Sequence, residues 1–178
     1  MPKPFIIISA TIIIAILNLS VSRAQTRYLG MSYSYNGVSI IYSNNVSDNY
    51  FTEFQLQSEL GEVFMNRTDI PGISASFTWN YPLRSWKSED GNAIRIYAGT
   101  GAVAGYGNDL RKNAGLFFGL KGKIAADCFF KRNVRISISL SPILGCHMVN
   151  DGEYMRLEYY RNGLLNSLTP EIGVCYTF

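Results

Sequence analysis

The sequence predicts an all-β protein: a single antiparallel up-and-down β-barrel of about eight strands, preceded by a cleavable segment. Three observations lead to this prediction. The 178-residue chain contains 16 Gly, 12 Tyr and 10 Phe, a composition that favours strands and turns over helices. Apolar and polar residues alternate along nearly all of residues 25–178, as they do in strands whose two faces meet different surroundings. Residues 1–24 have a different pattern, which is typical of an export signal.

Residues 1–24 have the three regions of a secretory signal peptide. Lys3 precedes a long apolar run, and polar residues follow that run. A membrane-spanning helix needs about 20 apolar residues, so this shorter run favours a cleaved signal over a retained anchor. Ser22 and Ala24 place small residues at the two positions that a signal peptidase reads, which predicts cleavage before Gln25.

The mature domain, residues 25–178, is almost neutral. The whole chain has 16 basic and 13 acidic residues, a formal charge of +3, and Lys3 and Arg23 leave with the signal, so the mature charge is +1. This balance excludes the clustered basic surface that is typical of nucleic-acid-binding proteins. Only 16% of the residues are charged and 47% are hydrophobic, which excludes an intrinsically disordered chain.

The mature chain divides into alternating segments separated by turn signals. In the first segment the apolar phase changes at Asn36-Gly37, which predicts either one long bulged strand or a type I′ hairpin. Asn162-Gly163 predicts a further two-residue hairpin turn. We count eight strands with a bulge, and ten is the alternative because membrane barrels have even strand numbers. The other seven strands are centred on residues 54–60, 73–81, 94–98, 116–124, 134–140, 155–159 and 172–178.

The two faces of these strands differ in character, and this difference decides the class of barrel. One face has almost no charge from Phe54 to Phe178, whereas the other is rich in Ser and Gly. A cation facing lipid costs about 2–4 kcal/mol near the bilayer midplane, and the narrow interior of an eight-stranded barrel suits small side chains. The pattern favours a transmembrane barrel with its apolar face outward. The alternative is a soluble, secreted, lipocalin-like barrel that binds a ligand on an inward apolar face.

The predicted inner face also carries acidic and basic residues in similar numbers. An unpaired charge in a low-dielectric interior is very costly, whereas a connected network of charges is tolerated. We therefore predict a structural charge network in the lumen, and we predict no catalytic, cofactor-binding or metal-binding site. The predicted network consists of Glu53, Glu59, Arg95, Lys121, Lys123, Arg135, Arg156, Glu158 and Glu171.

Aromatic residues mark the expected edges of the apolar face. Trp79, Tyr81 and Trp86 cluster towards one end of a strand and predict an interfacial aromatic girdle. The chain ends on alternating apolar residues, with Tyr176 followed by the terminal aromatic Phe178. This ending resembles the last strand of Gram-negative outer-membrane proteins, a strand that the barrel-assembly machinery recognises.

With its signal and about eight strands, the mature chain resembles the small outer-membrane β-barrels of the OmpA/OmpX type. Its Gly-rich stretches at 71–80, 99–107 and 115–122 look more particularly like uncharacterised barrels of Bacteroides-like bacteria. The resemblance implies an outer-membrane location and no settled activity. It implies outer-membrane lipid and the barrel-assembly machinery as partners, and it leaves room for an unknown extracellular partner at the loops.

His147 is the only histidine and the only starting point for an enzymatic hypothesis. Some outer-membrane barrels modify lipid A, and the deacylase kind uses a His-x-Ser pair, but Val149 stands where that serine would be. With both termini at one end of the barrel, the connection between the sixth and seventh strands, which carries His147, is expected at that same end. A lipid A-modifying enzyme is therefore only a minor alternative.

The glycines and cysteines indicate no cofactor. Residues 99–104 superficially match a dinucleotide-binding pattern, but the alternation continues through them and no helix is predicted to follow. Cys128, Cys146 and Cys175 lack the spacing of metal ligands. Cys128 and Cys146 are expected at opposite ends of one strand, too far apart for a disulfide. A pair between Cys146 and Cys175 is geometrically possible, but the role expected for all three is that of small fillers.

Overall fold

The alternating segments form antiparallel strands in the computed structural model of the protein. The structure describes residues 26–47, 49–60, 63, 71–109, 114–130, 133–150, 155–166 and 168–178, so the predicted signal peptide and its cleavage site lie outside the described residues. A short helix, α1 (Arg161–Asn166), lies between the last two of the described strands. These strands are β1 (Arg27–Ser34), β2 (Gly37–Ser47), β3 (Tyr50–Glu59), β4 (Gly72–Lys87), β5 (Ala93–Asn108), β6 (Ala114–Phe130), β7 (Val134–Leu140), β8 (Ile143–Asn150), β9 (Met155–Tyr159) and β10 (Glu171–Thr177).

Eight of the strands close the barrel in the order β1-β2-β3-β4-β5-β6-β7-β10, and β10 pairs with β1 to complete the ring. Strand β6 is long enough to pair with two strands in succession. Its residues 124–130 pair with β7 and its residues 116–121 pair with β8, so β8 continues the same wall beyond Pro142. Strand β9 pairs with β8 and extends the sheet. The predicted antiparallel barrel of eight strands is confirmed, and β8 and β9 are an addition to it.

The strands that form the ring are not all the ones predicted from the sequence, although their number is the same. At Asn36-Gly37 the chain forms the hairpin between β1 and β2, with Ser34 opposite Gly37, so the first segment is two strands rather than one bulged strand. A Cβ atom on Gly37 would meet the Ser58 carbonyl oxygen at 1.9 Å, which explains the glycine. Residues 155–159 belong to the extension instead of the ring, so the total of eight is retained.

The predicted hairpin at Asn162-Gly163 is wrong, because these residues belong to α1. The cause is a contact from a distant part of the chain. The Asp109 carboxylate, just after β5, accepts hydrogen bonds from the backbone N–H groups of Arg161 (3.2 Å) and Asn162 (3.0 Å). An acid at this position satisfies the free donors of a helix N-terminus, so α1 forms where the local sequence predicts a turn.

The first and last strands bring the two described termini to one end of the barrel, where the Phe178 N–H donates to the Arg27 carbonyl. We call this end the termini end. The turns that follow β2, β4 and β6 are also there. The opposite end, which we call the mouth, has the β1–β2 turn, the end of β5 and the start of β6, and helix α1 lies near it, held by Asp109.

Burial follows the alternation with polar side chains inside and apolar side chains outside. On β6, Leu120 and Ile124 are 65% and 61% exposed, whereas Lys121 and Lys123 are 4% and 3% exposed. The same arrangement recurs along the other strands of the ring, where buried Ser, Thr and Gln alternate with exposed Leu, Ile and Phe. Among the described residues, no helix has both the length and the apolar character needed to cross a membrane.

Candidate functional site in the barrel lumen

The lumen contains a cluster of charged side chains towards the termini end. Glu53 on β3 accepts a hydrogen bond from Lys123 on β6 and lies 3.6 Å from the Arg135 guanidinium on β7. Arg135 also lies 3.7 Å from Asp127, which in turn forms a 2.8 Å ion pair with Arg95 on β5. Two carboxylates therefore hold three cations that come from different strands. We call these five residues the charge cluster.

Aromatic rings and neutral acceptors surround the cations of the charge cluster. The Arg95 guanidinium lies 4.2 Å from the centroid of the Phe51 ring, and the Arg135 guanidinium lies 4.8 Å from that of Tyr28. Arg135 also donates to the Ser43 hydroxyl at 3.2 Å. Ring faces attract cations that have lost their water, so these contacts partly offset the excess of one positive charge.

A second group of polar side chains lies closer to the mouth, and hydrogen bonds of the Gln55 side-chain amide join its members. Lys121 Nζ donates to Gln55 Oε1 at 2.6 Å and to Ser76 Oγ at 3.0 Å. Gln55 Nε2 in turn donates to a carboxylate oxygen of Glu171 at 2.6 Å, and the Ser32 hydroxyl also donates to that carboxylate. The amide thus connects a buried ammonium group to a buried carboxylate, and both keep hydrogen-bonding partners without water.

The structure brings together six of the nine residues predicted for the lumen network. They divide between the charge cluster and the second polar group: Glu53, Arg95, Lys123 and Arg135 in the first, and Lys121 and Glu171 in the second. Glu59 lies at the end of β3 and accepts from the Tyr160 hydroxyl at 3.4 Å. Arg156 and Glu158 lie apart from both groups on β9, where they form a 3.7 Å ion pair with side chains that are 63% and 31% exposed. Their separation follows from β9 being outside the closed ring.

Asp127 and Gln55 are central to the lumen but were not among the predicted network residues. The signal for Asp127 is present in the sequence, since it shares the phase of Lys121 and Lys123 along β6 and is fully buried. Gln55 shares the phase of Glu53 on β3. Both residues would have been predicted if the network had included every polar residue in the inward phase of each strand, instead of only the nine charged residues chosen.

An apolar cluster occupies the interior towards the mouth. Tyr160, which is fully buried, stacks on the Phe117 ring with centroids 4.4 Å apart and planes 6° apart. Val103 and Ile143 complete the cluster. Tyr160 lies between the end of β9 and the start of α1. Because the chain leaves the strand conformation at this residue, the Tyr160 side chain points into the barrel.

His147 lies on β8 opposite Phe117 and is 1% exposed. Its Nε2 lies 3.2 Å from the carbonyl oxygen of Gly107. The expected position, in a connection at the termini end, is wrong: the histidine is in a strand near the mouth. The error arises because residues 143–150 do not form a connection between strands. They form β8, which pairs with β6 beyond Pro142 and so continues the position of β7 in the sheet.

The cysteines are free thiols on three different strands. Cys128 lies on β6 opposite Ile136, and Cys146 lies on β8 opposite Phe118. The expectation that these two share one strand is therefore wrong, because a turn and β7 separate them. In the described ranges, no three His, Cys, Asp or Glu side chains are grouped closely enough to hold a metal ion.

The predicted girdle residues are on the outer surface. Trp79, Tyr81 and Trp86 are all exposed on β4, and Trp79 packs edge-on against Phe77 with ring centroids 4.6 Å apart. The C-terminal Tyr176 and Phe178 are exposed on the same outer surface, at 57% and 63%. Their predicted role as an assembly signal stays a prediction.

Comparison with solved structures finds a β-barrel domain that is similar to this chain. No protein-family model and no curated protein sequence matches the chain. The crystal structure of the N-terminal β-barrel domain of Pseudomonas aeruginosa OprF is similar, with a TM-score of 0.46 and 12% sequence identity over 88% of this chain and 98% of that chain. The narrower resemblance to barrels of Bacteroides-like bacteria has no support in these comparisons.

Proposed function

We propose that the protein is an integral outer-membrane β-barrel of structural or surface-interaction type, without enzymatic activity. The inside-out distribution of side chains carries this proposal. Among the described residues, 35 large hydrophobic side chains are exposed, while Arg135, Lys123 and Asp127 are buried. Full burial of a large apolar side chain is worth about 1.5–3 kcal/mol, and in water each of these side chains, 36–79% exposed, would forgo a corresponding part of it. Lipid around the barrel would restore that free energy.

We also propose that side chains fill the lumen and that the barrel is not an open pore. Three groups of side chains support this by occupying successive levels of the interior: the charge cluster, the second polar group around Gln55 and the apolar cluster around Tyr160. Between Glu59, Lys121 and Glu171 there is a polar cavity of about 30 Å³, which has room for about one water molecule. A chain of ions would have to displace buried, hydrogen-bonded side chains to pass.

We propose one partner for each of three exposed parts of the barrel: the outer face, the last strand and the loops. Outer-membrane lipid would cover the apolar outer face. The barrel-assembly machinery would recognise Tyr176 and Phe178, whose side chains are exposed on the last strand. An unidentified extracellular partner would contact the loops at one end.

Detergent dependence tests the proposal directly. We expect the mature chain to fold only in detergent or lipid vesicles, to migrate faster on gels before heating than after it, and to fractionate with outer membranes on a sucrose gradient. In a planar bilayer it should give no stable conductance. A folded monomer in detergent-free buffer, recovered from the soluble periplasm, would overturn the proposal and favour the soluble ligand-binding barrel instead.

A further inference from the structure

Strand β4 contains a bulge near the termini end that turns an arginine outward. Pro82 pairs with Tyr97 of β5 and Arg84 pairs with the next residue, Ile96, so Leu83 is the extra residue. Tyr97 is fully buried and points into the barrel, so Ile96 and its partner Arg84 face outward. Without the extra residue, strict alternation along β4 would have directed Arg84 into the lumen.

The bulge also places Trp86 on the outer face beside the arginine. Trp86 pairs with Ile94, which is exposed, and the Arg84 guanidinium carbon lies 5.0 Å from the centroid of the Trp86 ring. Among the described residues, no carboxylate forms an ion pair with Arg84. The nearest acids along the chain, Glu89 and Asp90, are exposed in the β4–β5 turn. A cation therefore faces outward on an otherwise apolar surface, held against an indole ring.

The height of Arg84 on the barrel matches the edge of a membrane. From Ile96, the partner of Arg84, to Tyr106, an exposed aromatic towards the mouth, β5 advances ten residues. This distance is about 33 Å along the strand. With a strand tilt of about 35–45°, it is about 23–27 Å along the barrel axis, close to the band of about 25 Å that lipid covers on such barrels. If Tyr106 marks one interface, Arg84 is at the headgroup level of the other.

We propose that Arg84, stacked on Trp86, binds the phosphodiester of a phospholipid in the leaflet at the termini end. This inference rests on the proposed membrane function. A guanidinium group presents two parallel N–H donors to phosphate oxygens while its flat face stays on a ring. Trp86 and Ile94 would contact the glycerol and the first methylene groups of the lipid, which distinguishes a phospholipid from free phosphate.

Lipid retention in neutral micelles tests the inference. The mature chain would be folded in maltoside micelles containing palmitoyl-oleoyl phosphatidylglycerol, and bound lipid would be counted by native mass spectrometry. We expect saturable retention of one lipid, which R84Q weakens by about fivefold, the factor that one cation contributes near an anionic surface. R84K should be intermediate, because lysine keeps the charge and loses the planar fork. Diacylglycerol with the same chains should not be retained.

K87Q is the matched control, since Lys87 is a cation three residues further on β4 and on the other face of the sheet. It should retain the lipid like the unsubstituted protein. Equal retention by R84Q and the unsubstituted protein would overturn the inference, as would an equal loss in K87Q. Competition by the same concentration of inorganic phosphate would overturn the assignment to a phospholipid. Heat-modifiable migration of each variant shows that it is folded, so a failure here is distinct from a failure of the membrane function itself.

Discussion

Replacing Glu53 with Gln removes the carboxylate that two buried cations share, and it does so with almost no change in shape. Lys123 donates to this carboxylate and Arg135 lies 3.6 Å from it, with all three side chains no more than 3% exposed. At 3.6 Å and an effective dielectric constant of about 20, one such pair is worth about 4.6 kcal/mol before desolvation. Removing one partner of a buried pair typically costs about 3–5 kcal/mol. We expect E53Q to lower the free energy of unfolding by that amount.

Urea unfolding of the protein in lipid vesicles, followed by tryptophan fluorescence, measures this loss. The matched control is E158Q, since Glu158 pairs with Arg156 at 3.7 Å where water reaches both side chains. Exposed pairs are worth about 0–1 kcal/mol. The double variant E53L/K123M should recover part of the loss, because it removes both charges together. A loss in E53Q no larger than that in E158Q would refute the reasoning that burial strengthens the interactions of Glu53.

Three further predictions concern other parts of the molecule. Y160A should lower the free energy of unfolding by about 3–5 kcal/mol, because it leaves a cavity beside Phe117. Y159A, at the neighbouring exposed position, should lower it much less in the same assay, and equal losses would contradict the burial of Tyr160. Deletion of Phe178 should reduce the heat-modifiable barrel in outer-membrane fractions, and an unchanged band would count against its role in assembly. H147A should leave the mass spectrum of lipid A unchanged; an altered spectrum would support the enzymatic alternative instead.

The sequence was sufficient to predict which face of most strands is buried. Strict alternation along β6 places Lys121 and Lys123 inside and Ile124 outside, and the structure confirms it. The physical reason is that successive side chains of a strand point to opposite faces, so the phase shows which residues share a face, and the lack of charge on one face marks it as the outer one. The same rule fails for Arg84 and Trp86, because a single extra residue at Leu83 reverses the phase.

Chain reversals were harder to predict than faces. Asn36-Gly37 and Asn162-Gly163 have the same local turn signal, yet the first forms a hairpin and the second lies in α1. The difference comes from Asp109, 53 residues away in sequence from Asn162, whose carboxylate accepts the N–H groups at the start of the helix. No local pattern could have indicated that contact.

By itself, the sequence determined the all-β class and the residues that share each face of a strand, because period-two alternation is a local property of each strand. The near absence of charge on one face then favoured placing that face outward. Only the tertiary structure decided which charges meet. Glu53, Lys123 and Arg135 come from three different strands, and their contact depends on how those strands are placed around the ring. Arg156 and Glu158 have the same alternating pattern but lie on β9, outside the ring, and so remain at the surface.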